Sequence, residues 1–260
     1  MGPDHVERVT ALLAKRFDLL DALAAGPLGK GELEAELDVS RSTIDRAVRS
    51  LESENLLKRE GGTVSLTLFG RVLLGGYRGF RAGLVNLVDA RPFFDGLGDE
   101  ASIPFGLFQC ADVVTATRRS PHGPIVALQE FLEDANSVQS IVTGVLPEYV
   151  RSYHEQVVEH GMDAEIVVRS PILDELLSTY WNPLRDVLAT DRFSIYELQS
   201  DPPLSLKIAE MEETTEVAVV TYGDQGVSGF VRSRNADAVE WAPDIYERVK
   251  AQATPVAPPD

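Results

Sequence analysis

The apolar positions of this chain change period along its length. At the start they recur at Val6, Val9, Leu12, Leu13, Phe17, Leu20 and Leu23, the spacing of an amphipathic helix that Gly26-Pro27 ends. Two further helices are predicted over residues 32–37 and 40–55. The second carries Ile44, Ala47, Val48, Leu51 and Leu56 on one side and Ser42, Asp45, Arg46 and Arg49 on the other. Residues 63–68 then alternate polar and apolar, the mark of a half-buried strand. Residues 69–87 return to a helical pattern despite their glycines. Gly75, Gly79 and Gly83 share one helical face, which reads either as a kinked, poorly formed helix or as close packing at a dimer seam. Glycine costs about 1 kcal/mol per helical position relative to alanine, which favours the first reading.

Beyond Gly96-Leu97-Gly98 strands alternate with helices. Strand-like runs cover residues 105–114, 138–145, 164–169, 193–197, 204–210, 216–222 and 227–231, and helical ones 124–136, 147–160, 171–188 and 236–251. That alternation predicts an α/β domain with an at least partly parallel sheet. Pro147 and Pro171 stand where a first-turn helical proline is tolerated. The fold class is thus α/β plus α: a winged helix-turn-helix over 1–70, a linker helix and possible dimer seam over 71–98, an α/β domain over 99–252, and a disordered tail over 253–260.

The order short helix, turn, longer helix and basic Gly-Gly hairpin is what a winged helix-turn-helix requires. Ser40 suits an N-cap, its hydroxyl accepting an orphan backbone N–H. A recognition helix docks its N-terminal end in the major groove, which places Arg41, Ser42, Thr43 and Arg46 near base edges or flanking phosphates, with Arg49 on the same face. Lys58 and Arg59 precede the Gly61-Gly62 wing tip and, with Lys30, are expected at the phosphate backbone, where contacts set position rather than sequence. A helical hairpin with a solvated charged face is the plainer alternative. Asp45, Glu52, Glu54 and Glu60 temper the expected affinity.

Charge at first contradicts DNA binding, since the 260 residues carry a net charge of −17 and a pI near 4.6. Residues 1–82, however, hold 12 Lys+Arg against 12 Asp+Glu, and residues 83–260 hold the other 12 basic and 29 acidic residues. The acidity lies wholly outside the helix-turn-helix. Lysine is scarce: Lys15, Lys30, Lys58, Lys207 and Lys250 stand against 19 arginines. This acid-rich, lysine-poor balance is similar to that of cytoplasmic proteins of extreme halophiles, where molar salt screens surface repulsion and also weakens phosphate attraction. No apolar run reaches the roughly 18 residues of a membrane helix, and MGPDHVERVT is no signal sequence. A cytoplasmic location follows.

VSRSTIDRAVRSLESENLL followed by GGTVSLTLFG resembles the winged-helix domains of archaeal transcriptional regulators. The stretches IVTGVLPEYVRSYHEQVVEHGMDAEIVV, ILDELLSTYWNPLRDVLA and YGDQGVSGFVRSRNADAVEWAPDIYERVKAQA resemble the effector domain of the haloarchaeal and methanogen regulator family typified by the filament-formation regulator. The resemblance implies a dimeric DNA-binding regulator with an α/β sensor, related in outline to the sugar-sensing TrmB type. It also implies a phospholipase-D-like outline, but the hydrolase's His-x-Lys-x4-Asp signature is missing: His122 is followed by Gly123-Pro124.

No catalytic site is expected. His154 and His160, six residues apart, do not share a helical face, and His5, His122, His154 and His160 all read as solvated, so no metal is assigned. No phosphate-binding glycine loop follows a strand, and no cofactor is implied. Pairs such as Asp174-Glu175 and Glu212-Glu213 read as solvated surface, and Trp181 and Trp241 as core anchors. Cys110, in an apolar segment, reads as a buried small hydrophobe; a redox switch would need an exposed thiolate. A ligand pocket is placed only by analogy with open α/β sheets, beyond the carboxyl ends of the strands. That nominates Thr143, Gly144, Arg169, Ser170 and Tyr222, with Arg169 facing an anionic metabolite such as a sugar phosphate or else held in a structural ion pair. The expected partners are a double-stranded DNA operator, a second copy of the chain and a small-molecule effector, with no membrane. The alternatives are a protein-interaction adaptor and an enzyme with an accessory winged helix.

Overall fold

The computed structural model describes residues 3–98, 101–223 and 226–256. It divides into two units, Met1–Arg81 and Ala82–Asp260. The boundary falls inside a helix rather than at residue 70.

The first unit runs α1 (Pro3–Lys15), α2 (Phe17–Ala22), β1 (Leu28–Gly29), α3 (Lys30–Leu37), α4 (Arg41–Ser53), β2 (Leu57–Glu60) and β3 (Thr63–Leu66), then enters α5 (Leu68–Asp89). The single helix expected over 6–24 is broken at Arg16, whose backbone (φ −119°, ψ 20°) is not helical. Leu20, Leu33, Ile44, Val48, Leu51 and Leu56 are each at most 1% exposed, and each such burial contributes roughly 1.5–3 kcal/mol. The three strands pair antiparallel in the order β1-β3-β2. Gly61 (φ +57°) and Gly62 (φ +88°) make the turn between β2 and β3, a backbone that side chains resist.

Helix α5 is continuous over 22 residues, so the kinked, poorly formed helix does not occur. The burial of Leu74 in the first unit's core offsets part of the glycine cost. Gly83 serves packing within the second unit: a Cβ there would come within 2.7 Å of the Phe105 ring. Gly75 and Gly76 face open space.

The second unit is an eight-stranded sheet in the order β11-β7-β6-β5-β8-β9-β10-β4. Its strands are β4 (Asp112–Thr115), β5 (Ser137–Val142), β6 (Asp163–Arg169), β7 (Phe193–Leu198), β8 (Ser205–Glu210), β9 (Thr215–Gly223), β10 (Gly226–Ser233) and β11 (Thr254–Pro255). Strands β5, β6 and β7 are parallel and every other pairing is antiparallel. The helices are α6 (Arg91–Phe94), α7 (Gly123–Glu133), α8 (Pro147–His154), α9 (Ser170–Thr179), α10 (Trp181–Leu188) and α11 (Ala236–Lys250). Both faces of the sheet are covered. On one, Val138, Ala164, Ile166, Val168 and Ala209 pack with α7 to α10. On the other, Ile141, Val167, Leu206, Val217 and Val219 pack with α6, α11 and a 3-10 turn at Phe105–Phe108.

Three local expectations change. The strand predicted over 105–114 becomes that 3-10 turn, which buries Leu107 and Phe108, followed by the short β4. Between them Cys110 has φ +56° and is exposed, not buried, because the chain turns outward there. The tail is not wholly disordered: Thr254 and Pro255 pair with Glu197 and Tyr196 and cover the edge of β7. Residues 257–260 lie outside those described.

Glu165 joins α11 to the sheet. Its carboxylate accepts hydrogen bonds from Lys250 Nζ (2.7 Å), Tyr246 Oη (2.8 Å) and Tyr196 Oη (3.2 Å). Burial alone would raise its pKa, but the bonds from Lys250 and Tyr246 outweigh it and the net shift is downward. The same pair holds Lys250 above its ordinary value. A depressed carboxyl stabilises the fold above its unfolded pKa, and that contribution is lost as pH falls through the folded value. Urea denaturation should therefore find Glu165→Gln destabilised by about 1–3 kcal/mol at neutral pH, with the difference from wild type shrinking in acid.

Candidate nucleic-acid interface and ligand cavity

In the first unit α3, a turn through Asp38 (φ +49°) and α4 form the helix-turn-helix, with β2 and β3 as the wing. Ser40 stands at the N-cap position of α4 but does not cap it. Its hydroxyl lies 3.0 Å from both Ser42 Oγ and Thr43 Oγ1, joining three hydroxyls at the start of the helix instead of accepting a backbone N–H.

The predicted cations divide into two groups. Lys30 is bonded to Asp45, Arg59 to Glu52 at 3.0 Å and Lys58 to Glu60 at 3.0 Å. Asp45 is held below the usual carboxylate range, first by the Lys30 hydrogen bond. Arg41, Arg46 and Arg49 are exposed on α4, and among the described residues no carboxylate pairs with them. Lys15 and Arg16 border a cleft with Val39 and Thr43, beside the start of α4. Sequence reasoning missed these two, although a basic doublet closing α1 was the available signal.

The nominated ligand residues separate into two places. Thr143 and Arg169 line a polar cleft with Asp201, Pro202 and Ser205. Arg169 is bonded there to Asp201, the ion pair weighed against metabolite binding, while Arg169 Nε and Ser170 Oγ are buried without a hydrogen-bond partner. Gly144 lines a second, apolar cavity of about 60 Å³ between the sheet and α8, α9 and α10. Tyr222 Oη donates to Gly144 O at 3.3 Å, and a Cβ on Gly144 would come within 2.7 Å of the Tyr222 ring.

Val142, Val168, Ile172, Leu176, Leu184 and Val187 wall this cavity, and Tyr149, Tyr153, His154 and Lys207 bring its polar atoms. Lys207 is 1% exposed, yet among the described residues no carboxylate lies within ion-pair range. Its nitrogen donates to Tyr153 Oη at 3.4 Å, and Tyr153 Oη is 2.7 Å from Ser140 Oγ. Tyr149 lies near enough to Tyr222 for the phenols to perturb each other, but Tyr149 Oη has no hydrogen bond of normal geometry. Burial raises both phenols well above their ordinary value, so both remain protonated donors. Sequence reasoning missed Lys207, whose signal was a single cation inside the apolar run of β8.

The histidines differ in their surroundings. His122 and His160 are exposed. His154 and His5 are more enclosed than expected: His154 lies 3.5 Å from Asp186, and His5 accompanies Arg8 and Glu54. Glu155, Glu159 and His160 converge on the exposed π-turn that continues α8, a solvated cluster without a buried donor. Ser205-Leu206-Lys207, with Glu212 five residues after the lysine, is spaced like the missing hydrolase signature. It has serine in place of histidine, and Ser205 Oγ donates to Ile141 O at 3.0 Å.

Residues 121–252 match the family model of the methanogenesis regulatory protein FilR1, middle domain. Residues 5–85 match that of the HVO_A0261 N-terminal domain. No curated protein matches the chain. Among solved structures it is similar to TrmBL2, an archaeal chromatin protein, at 15% identity over 96% of this chain and 99% of that one, with a TM-score of 0.42. It is similar to quinone-bound YodB from B. subtilis at 21% identity over 32% of this chain and 97% of that one, with a TM-score of 0.30. It is also similar to Nuc from Salmonella typhimurium, a phospholipase D family member, at 11% identity over 56% of this chain and 97% of that one, with a TM-score of 0.44.

The contact between Gly144 and the Tyr222 ring yields a direct check. Gly144→Ala should displace the ring and cost about 1–3 kcal/mol in chemical denaturation, and Tyr222→Leu in the same background should recover part of that loss.

Proposed function

This chain belongs to the family of the FilR1 middle domain, and on that premise we propose that it is a cytoplasmic transcriptional regulator. It binds a double-stranded DNA operator through its first unit and answers to a small-molecule effector in its second. The observation that carries the DNA reading is the exposed, unpaired set Arg41, Arg46 and Arg49 on α4, with Ser42 and Thr43 in its first turn. Arginine offers a guanine edge two parallel donors, and the hydroxyls suit bases or phosphates. Lys15, Arg16 and the wing residues Lys58, Arg59, Gly61 and Gly62 supply backbone contacts; Lys30 buttresses α4 through Asp45. The cavity and cleft of the second unit support the effector role, and the serine in place of the hydrolase's histidine supports a non-enzymatic one. Among the described residues no helix is long and apolar enough to cross a membrane.

The regulator is a homodimer in this reading. Leu68, Phe69 and Val72 at the start of α5 are 47–70% exposed, and the neighbouring Gly75 and Gly76 leave the surface flat. An apolar strip of this kind, on the helix that follows the wing, suits a second copy, which would set two recognition helices about 34 Å apart, one turn of DNA.

Mobility shifts on genomic fragments test the DNA reading, and the absence of any retained fragment would refute it. Arg46→Glu should abolish sequence-specific retention, whereas Lys15→Ala should weaken all fragments alike and reduce the salt slope by about one. Asp45→Asn, which frees Lys30, should raise affinity. For the dimer, sedimentation of Val72→Asp should show a monomer that retains its helical circular dichroism.

A further inference from the structure

The apolar cavity of the second unit contains two polar groups that the fold satisfies only in part. A buried lysine without a carboxylate is costly, because its charge loses hydration that a single phenol does not replace. Lys207 is in that position at 1% exposure. Tyr149, 5% exposed, adds a hydroxyl that has the Tyr222 phenol beside it but no hydrogen bond of normal geometry. Both border the same space.

We propose that this cavity is a receptor for a small monocarboxylate, its apolar body among Val142, Val168, Leu176 and Val187 and its carboxylate on Lys207, Tyr149 and Tyr153. The chemistry narrows the class. A neutral hydrocarbon would leave Lys207 and Tyr149 unanswered. A sugar would bring hydroxyls against walls that cannot bond them. A phosphate dianion would exceed the one buried cation by a charge. One carboxylate matches one lysine and accepts from two phenol hydroxyls, and charge-assisted bonds of this kind are the strong ones. A cavity of about 60 Å³ holds roughly five water-sized spheres and is less than half the roughly 150 Å³ that accepts a benzene ring, which suits the body of a short branched-chain aliphatic acid.

This inference names the ligand class for the effector role proposed above, and it is tested without DNA. Isovalerate is titrated onto the full chain and followed by thermal shift and saturation-transfer NMR. The wild type should bind it. Lys207→Met should lose at least tenfold in affinity while its ligand-free melting temperature rises, because an apolar chain of similar length replaces the buried cation; a purely structural lysine would give a fall. Tyr149→Phe removes only a hydroxyl that lacks a hydrogen bond of normal geometry, so it should fold normally and weaken binding about tenfold, which keeps the test decisive should Lys207→Met not fold. No binding by the wild type, unchanged binding by both variants, or Lys207-dependent preference for inorganic phosphate would each overturn the proposal. Operator retention is scored separately. Binding that leaves DNA affinity unchanged supports the receptor and rejects the effector role, whereas retained DNA binding without any carboxylate binding rejects the receptor alone.

Discussion

The second unit depends on one constraint: a parallel core of strands must be buried on both faces. Strands β5, β6 and β7 carry helices on both faces, so their hydrophobic positions alternate between two helical layers and the middle of each strand is left little access to solvent. Any polar group admitted there must bring its own partner. Glu165 does, with Lys250, Tyr246 and Tyr196 around it, and so fixes the last helix to the sheet. Lys207, on the neighbouring β8, has the Tyr153 phenol but, among the described residues, no carboxylate, and the helices α8 to α10 enclose it rather than expose it. The same burial rule thus yields a structural tie on one face and a chemically incomplete cavity on the other.

The first unit meets a different limit. It is too small to bury much surface, so short-range rules carry more of its fold. The glycines at the wing tip permit the left-handed turn, and Glu32 accepts the Gly29 N–H at the start of α3. With the core occupied by α4's inward stripe, the outward stripe is left to polar residues and presents arginines to solvent.

Much of this was readable from the chain. The helical stripe of Ile44, Val48 and Leu51 and the Gly61-Gly62 hairpin are local signals, and each appears where periodicity placed it. The strands of the α/β unit were located within a few residues for the same reason. What depended on distant neighbours was less legible. Residues 105–110 are apolar enough for a strand, but Leu107 and Phe108 find burial in a single turn, and Cys110 is then driven outward. Nominating the carboxyl ends of strands put Gly144 and Arg169 forward together but could not show the difference between their surroundings. The apolar cavity arises from crossover helices whose contacts with β8 no local pattern specifies. Ser40 shows the limit at the smallest scale: its position at the cap was legible, its choice of hydroxyl partners was not.

The ion pairs of Lys30, Lys58 and Arg59 have a consequence for the thermodynamics of association. Proteins that approach DNA with bare cations release the counterions condensed on its phosphates, and their affinity falls steeply with salt. Here these three cations already hold carboxylates of their own fold. In the proposed DNA reading, a phosphate that took the place of Asp45, Glu60 or Glu52 would displace an anchored anion that stays in the complex and repels the duplex. Docking at these positions would then be an exchange of one acid for another, with part of the entropy of counterion release given back. A winged helix of that kind would rely on fit at the arginine face more than on bulk attraction, and its discrimination would be correspondingly less sensitive to the ionic strength around it.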